Sequence, residues 1–288
     1  MPEPLLRWDT SALRQQLDPV LPGLSVEVLE RTVSTNSMLL ERARTIGVQP
    51  CLLVAEQQTG GRGRQGRVWH SAAGASLMFS LGLPLQVADW SGLSLAVGVA
   101  VADALDPAAI GSARHRIGLK WPNDLWLMDG AGAGRKLGGI LIETVAAGPQ
   151  RLAVIGIGLN VRPLALGDAS SGFASLQELD ASATAPAVLQ RIALPLLLAL
   201  QRFEREGFGA FADRFGARDL LRGHPVRTTQ PDVPEGVAQG VSAQGALLVQ
   251  TADGVKPVSS GEVSVRLRLQ ASGPAVARPE ALGAPSSC

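Results

Sequence analysis

Cys51-Leu-Leu-Val-Ala-Glu-Gln-Gln-Thr-Gly-Gly-Arg-Gly-Arg-Gln-Gly-Arg-Val-Trp-His70 begins as an apolar run and turns into an arginine–glycine loop. A second apolar run follows, Ala75-Ser-Leu-Met-Phe-Ser-Leu-Gly-Leu83. Both flanks are short and bounded by glycine or polar residues, and they read as strands of one sheet. Between them Gly60, Gly61, Gly63 and Gly66 are interleaved with Arg62, Arg64 and Arg67. Glycine permits positive φ and lets backbone approach a ligand closely. Arginine supplies permanent charge and a planar donor fork suited to phosphate or carboxylate. On composition alone the loop serves equally as a clamp for an anionic small molecule or as a solvated surface loop.

Working outward, Val28–Val33 reads as a strand, and Ser34-Thr-Asn-Ser37 supplies capping residue types for a helix running to Thr45 and stopping at Gly47. Leu39, Ala43 and Ile46 share one face of that helix. Ser34, Thr35 and Asn36 are explained by capping, and a helix N-terminus also offers free N–H groups and hydroxyls to a ligand. Beyond the loop, Trp90–Leu105 reads as a buried helix. Ile117–Met128 reads as strand, turn and strand around Trp121-Pro-Asn-Asp124, which brings Lys120 and Asp124 to one end as a candidate ion pair of little worth if exposed. Lys136–Val145 and Leu152–Val161 read as strands. Their Gly138, Gly139, Gly156 and Gly158 clear space over the sheet for a ligand or for close packing. Gly156-Ile-Gly158 is no dinucleotide fingerprint, because a third glycine and a following helix are missing.

Residues 162–185 read as an irregular connection. Pro186–Glu206 reads as a helix with Pro195 near its start or at a kink, and Phe208, Phe211 and Phe215 read as core. From Gly223 the pattern changes to short strands at 226–229, 235–241, 246–250 and 262–269, as in a small β-barrel. The expected division is 1–222, 223–270 and a disordered tail at 271–288.

The chain has 288 residues, a formal net charge of +1 and 46% hydrophobic residues. These totals do not point to a nucleic-acid or membrane partner. No apolar run reaches the length of a membrane span, and the N-terminus lacks a signal-peptide pattern. Cys51 and Cys288 suggest no disulfide, and the scattered His70, His115 and His224 suggest no structural zinc site. A cytoplasmic location is expected. Lysine is confined to Lys120, Lys136 and Lys256 in an arginine-rich chain, a hint that a compact ammonium is wanted there.

Ser34-Thr-Asn36, Gly61-Arg-Gly-Arg-Gln-Gly-Arg-Val-Trp69, Lys120-Trp-Pro-Asn-Asp124, Lys136-Leu-Gly-Gly-Ile-Leu-Ile-Glu143 and Gly156-Ile-Gly-Leu-Asn160 occur in the order seen in biotin protein ligases, and the chain resembles that family over roughly residues 28–269. The resemblance implies an α+β fold: a mixed β-sheet with helices packed on it, like class II synthetase catalytic domains, followed by a small SH3-like β-barrel. It implies that biotin and ATP, with Mg²⁺, give biotinyl-5′-adenylate, and that a lysine of a biotin carboxyl carrier protein then takes the biotinyl group. Carried onto this chain, Ser34, Thr35, Asn36, Gln58, Arg62, Gly63, Arg64, Lys136, Gly139, Gly156 and Gly158 would line the biotin site. Arg62, Arg64, Arg67, Trp69, Lys120, Asn123, Asp124, Lys136, Asn160 and Arg266 would lie about the nucleotide. Lys136, Arg64 and Lys120 would be the catalytic groups, and the metal ligands are left open. The loop is expected to order only when ligand arrives. Some family members carry an N-terminal DNA-binding domain; here so little precedes the first strand that no DNA partner is expected, and the protein is expected to be a monomer or homodimer. Gly130–Gly134 reads as an insertion at the edge of the site.

Two rivals remain at this level. Lipoate or octanoate ligases share a related fold but lack the Gly-Arg-Gly-Arg-x-Gly-Arg-x-Trp loop. A nucleic-acid-binding protein could use an arginine–glycine loop, yet this chain has a single such loop and little net charge.

Overall fold

The computed structural model describes residues 6–47, 49–69, 71–107, 115–129, 134–147, 150–163, 172–259 and 266–267. Strands β1 (Ser25–Thr32), β2 (Cys51–Gln58), β3 (Ser76–Pro84), β4 (Ile117–Lys120), β5 (Asp124–Met128), β6 (Gly134–Ala147) and β7 (Gln150–Asn160) form a seven-stranded sheet in the order β1-β2-β3-β7-β6-β5-β4. β1 and β2 run parallel and the remaining neighbours antiparallel, so the sheet is mixed, as expected.

The apolar run of β2 is continuous because both faces of the sheet are covered. Side chains alternate along a strand. Leu53 and Cys51 pack with Leu39, Leu40 and Ala43 of α2 (Thr35–Thr45), whereas Leu52 and Val54 join the larger core. That core includes residues of α1 (Thr10–Leu17), α3 (Leu93–Leu105) and α4 (Ala185–Glu206). Ile46, expected on the inner face of α2, is 71% exposed, because the helix ends at Thr45 and Gly47 turns the chain at φ 89°. Pro195 lies inside α4. Phe208 and Phe215 meet edge to face at 6.2 Å and Phe211 is buried with them, before and within the short α5 (Ala212–Gly216). No helix among the described residues is long and apolar enough to cross a membrane.

The C-terminal module is a five-stranded antiparallel sheet, in the order β11-β10-β9-β8-β12. Its strands are β8 (Pro225–Arg227), β9 (Glu235–Val241), β10 (Leu247–Thr251), β11 (Gly254–Val258) and β12 (Arg266–Leu267). β11 was not expected from the sequence. It contains Pro257, which breaks a strand pattern but is tolerated where a strand has a neighbour on one side, and β11 stands at the end of the sheet order. Of the last expected strand, 262–269, β12 alone is described; the tail at 271–288, His70 and most of the expected insertion at 130–134 also lie outside the described residues.

The β9–β10 turn of the module meets the large sheet and α3. Trp121, 1% exposed, donates its indole N–H to Gly245 O at 3.0 Å. Gly245 has φ +81°, and a Cβ there would stand 2.7 Å from Gly92 Cα, so the β9–β10 turn can approach only as glycine. In the segment leading to the module, Arg218 has a fully buried side chain and bonds Asp103 (2.8 Å), Asp106 (3.2 Å) and Ile117 O (2.8 Å). Its own carbonyl accepts from Leu119 N, which fixes β4.

Candidate functional site

The α2 N-terminus lies over the sheet where register places Ser80 of β3 beside Gly156 of β7, and Gly156 beside Leu141 of β6. Ser34 is the N-cap, its side chain accepting from Ser37 N, so the capping reading holds. Thr35 N and Oγ1 both reach Gln58 Oε1, at 2.7 and 3.1 Å. Asn36 donates through Nδ2 to Leu141 O (3.2 Å) and Glu143 Oε2 (2.9 Å). A Cβ at Gly156 would stand 2.3 Å from Asn36 Oδ1, so the space cleared by this glycine is filled by Asn36.

The arginine loop folds back on itself. Arg62 bridges to Val68, Gly63 N donates to Arg67 O at 2.7 Å, and Trp69 N donates to Gly61 O at 2.9 Å. Gln65 at φ 56° makes the reversal, a conformation that glutamine adopts at some strain. Arg62 is held by Ser37 Oγ at 2.7 Å, with Glu143 at 3.9 Å. Trp69 returns over the sheet. Its ring stands 2.6 Å from where a Gly158 Cβ would be and 3.3 Å from one at Gly139, so the Gly158 and Gly139 spaces receive this indole.

The opposite wall comes from the β4–β5 turn. Register pairs Lys120 with Asp124, yet Asp124 bonds Lys136 Nζ, at 2.7 Å, rather than forming the turn ion pair with Lys120. Lys120 instead lies over the Trp126 ring at 4.7 Å. Burial pulls the Lys120 ammonium below the usual lysine range; Asp124 opposes this, and Lys136 and Arg67 add to it. Burial likewise lowers Arg64, with Asp124 opposing. Asn123 is spent on Ile140 O at 2.8 Å, and Asn160, 2% exposed, on Ala174 O at 3.1 Å, so both brace backbone.

These walls enclose a cavity of about 750 Å³. Every sequence-predicted site residue whose side chain is described lines it; Arg266 is described only by its place in β12, paired with Arg227. Arg62, Arg64, Arg67, Lys120 and Lys136 surround it, and Asp124 is the lone acidic lining residue among the described residues. Such a surface attracts anions. The indole N–H groups of Trp69 and Trp126 are buried and have no partner among the described residues, which makes them available as donors. Sequence reasoning missed Trp126, Phe173, Ser37 and Ser80. Glu143 appeared only as the end of a motif, and its charge inside an apolar strand was the one signal of its role.

Residues 28–160 match the Biotin/lipoate A/B protein ligase family, and residues 223–266 match the Biotin protein ligase C terminal domain. The chain is 36% identical over 270 residues to the biotin–[acetyl-CoA-carboxylase] ligase of Mycobacterium tuberculosis, spanning 90% of this chain and 96% of that protein. It is 35% identical over 272 residues to the bifunctional ligase/repressor BirA of Salmonella typhimurium, spanning 92% and 81%. Among solved structures, the biotin protein ligase from Aquifex aeolicus in complex with biotin and ATP superimposes with a TM-score of 0.71 at 28% identity, covering 85% of this chain and 99% of that one. The motif order, the sheet that carries it and these relatives agree: the chain belongs to the biotin protein ligase family.

Proposed function

We infer that the protein activates biotin with ATP as biotinyl-5′-adenylate and transfers the biotinyl group to a lysine of a biotin carboxyl carrier protein. The observation that carries this reading is the cavity itself. It joins a neutral polar pocket, formed by Thr35, Asn36 and Gln58, to a wall of five cations. The polar pocket suits a ureido ring, which donates and accepts hydrogen bonds. The cations suit the step in which a carboxylate oxygen attacks the α-phosphorus and pyrophosphate leaves, because two anions must be held together as charge develops. Lys136 is assigned to the reacting carboxylate and α-phosphate oxygens, Arg64 and Arg62 to the adenylate, and Arg67 and Lys120 to the phosphates. Ser34 and Asn36 shape the biotin end, Gly63 admits the loop backbone, and Gly139, Gly156 and Gly158 let Trp69 and Asn36 settle on the sheet. In transfer, the acceptor amine attacks the acyl carbon, AMP leaves, and an amide forms. The loop excludes water from the anhydride until then. Arg266, and the division of labour between residues up to 222 and the module from 223, belong to the same proposal.

No cluster of three or more metal-ligating side chains occurs among the described residues. This fits Mg²⁺ carried chiefly by the triphosphate, with Asp124 as the carboxylate at hand.

The test supplies ATP with biotin or with lipoate and follows pyrophosphate release. A response to biotin is expected, and a response to lipoate alone would overturn the reading. Arg64→Ala is expected to speed escape of the adenylate into solvent by about tenfold or more with the fold intact. An unchanged adenylate off-rate and transfer rate would reduce Arg64 to a bystander.

A further inference from the structure

Ser80 is fully buried in β3 and does not line the cavity, yet its hydroxyl stands 2.6 Å from both Thr35 Oγ1 and Asn36 Oδ1. Thr35 Oγ1 lies a further 3.1 Å from Gln58 Oε1. The Asn36 amide cannot turn round, because Nδ2 faces two acceptors, Leu141 O and Glu143. Its oxygen therefore faces Ser80. Gln58 Oε1 already accepts from Thr35 N at 2.7 Å. Ser80 has one hydrogen, which the fixed Asn36 oxygen takes, so the Thr35 hydroxyl gives its own hydrogen to Ser80 Oγ. Thr35 Oγ1 is then left with lone pairs and no hydrogen to offer the cavity. Thr35, Asn36 and Gln58 are the members of this cluster that reach the cavity.

We propose that Ser80 is a specificity-setting positioning residue, whose buried hydroxyl holds Asn36 and takes the Thr35 hydrogen, so that Thr35 Oγ1 meets the cavity as an acceptor matched to the N–H group of a cyclic urea. An anionic or apolar head in the same place supplies no hydrogen to Thr35 Oγ1 and leaves that buried acceptor unpaired. Glu143 belongs to the device because it fixes the Asn36 amide. The proposal rests on the biotin reading above.

The test is titration calorimetry of the full chain with biotin, with desthiobiotin, which keeps the urea and lacks the sulfur ring, and with ATP. Ser80→Ala is expected to weaken biotin and desthiobiotin by the same factor, about tenfold, with ATP within about twofold of wild type. Ser80→Thr keeps the hydroxyl and is expected to restore most of the affinity. Ser80→Cys keeps the side-chain shape but donates poorly; it is expected to lose affinity like alanine and guards against local collapse in the alanine variant. Alanine and cysteine variants within about twofold of wild type on both ureas would overturn the proposal, as would a loss confined to biotin or an equal loss for ATP. A wild type that fails to bind biotin overturns the functional reading as well; a wild type that binds, with an unaffected Ser80→Ala, overturns the Ser80 proposal alone.

Discussion

Lys136→Ala is expected to lower the burst of biotinyl-adenylate by about 10²–10³-fold, the usual cost of deleting a preorganised charge at a reacting centre. The expected loss is at the upper end because Lys136 does two things. Its ammonium stands in the cavity beneath the Trp69 ring at 5.8 Å, and it neutralises Asp124 at 2.7 Å. The alanine variant removes a cation and also leaves a half-buried carboxylate facing two anionic substrates. Asp124→Asn added to Lys136→Ala should therefore recover part of the loss. Single-turnover adenylate formation, measured with quenched samples, decides the matter. A near-normal burst in Lys136→Ala would make the lysine only a partner of Asp124.

Arg218→Met is expected to cost about 3–5 kcal/mol of stability. Two carboxylates, Asp103 and Asp106, converge on a guanidinium with no exposed surface. Methionine fills the volume but leaves those acids to face one another, with the half-exposed Arg214 still near Asp103. A fall in melting temperature on the order of 10 °C follows from that free energy for a domain of this size. Asp103→Asn with Asp106→Asn in the methionine background should restore much of it. A melting temperature unchanged by Arg218→Met would show that the network contributes nothing net.

How much was legible follows from the range of each interaction. The flanks of the arginine loop, the Ser34 cap and the β6 and β7 strands carry their signals within a few residues, and all were readable. The motif order placed Gln58, Lys120, Lys136 and Gly158 at one site although nothing local relates them. Ser80 escaped because a serine inside Ser-Leu-Met-Phe-Ser-Leu reads as a strand residue; its importance arises only when register sets it beside Gly156 and under Asn36. The partner of Asp124 was misjudged for the same reason. Sequence proximity favoured Lys120, but the β5–β6 register sets Lys136 opposite Trp126, from where its side chain reaches diagonally to Asp124, while Lys120 lies over the Trp126 ring. β11 was hidden by Pro257, whose tolerance depends on a place at the sheet's end that sequence does not reveal.

The Trp121–Gly245 hydrogen bond spans 124 residues of chain. During synthesis the Ser34–Asn36 cluster, the arginine loop and both long strands emerge well before the turn that receives the Trp121 indole. The Lys120–Asp124 turn therefore lacks one of its anchors until the last part of the protein has been made and folded. The pocket end and this turn mature at different times, so a chain cut short before Gly245 would carry its arginine loop and pocket beside a Lys120–Asp124 turn without that anchor.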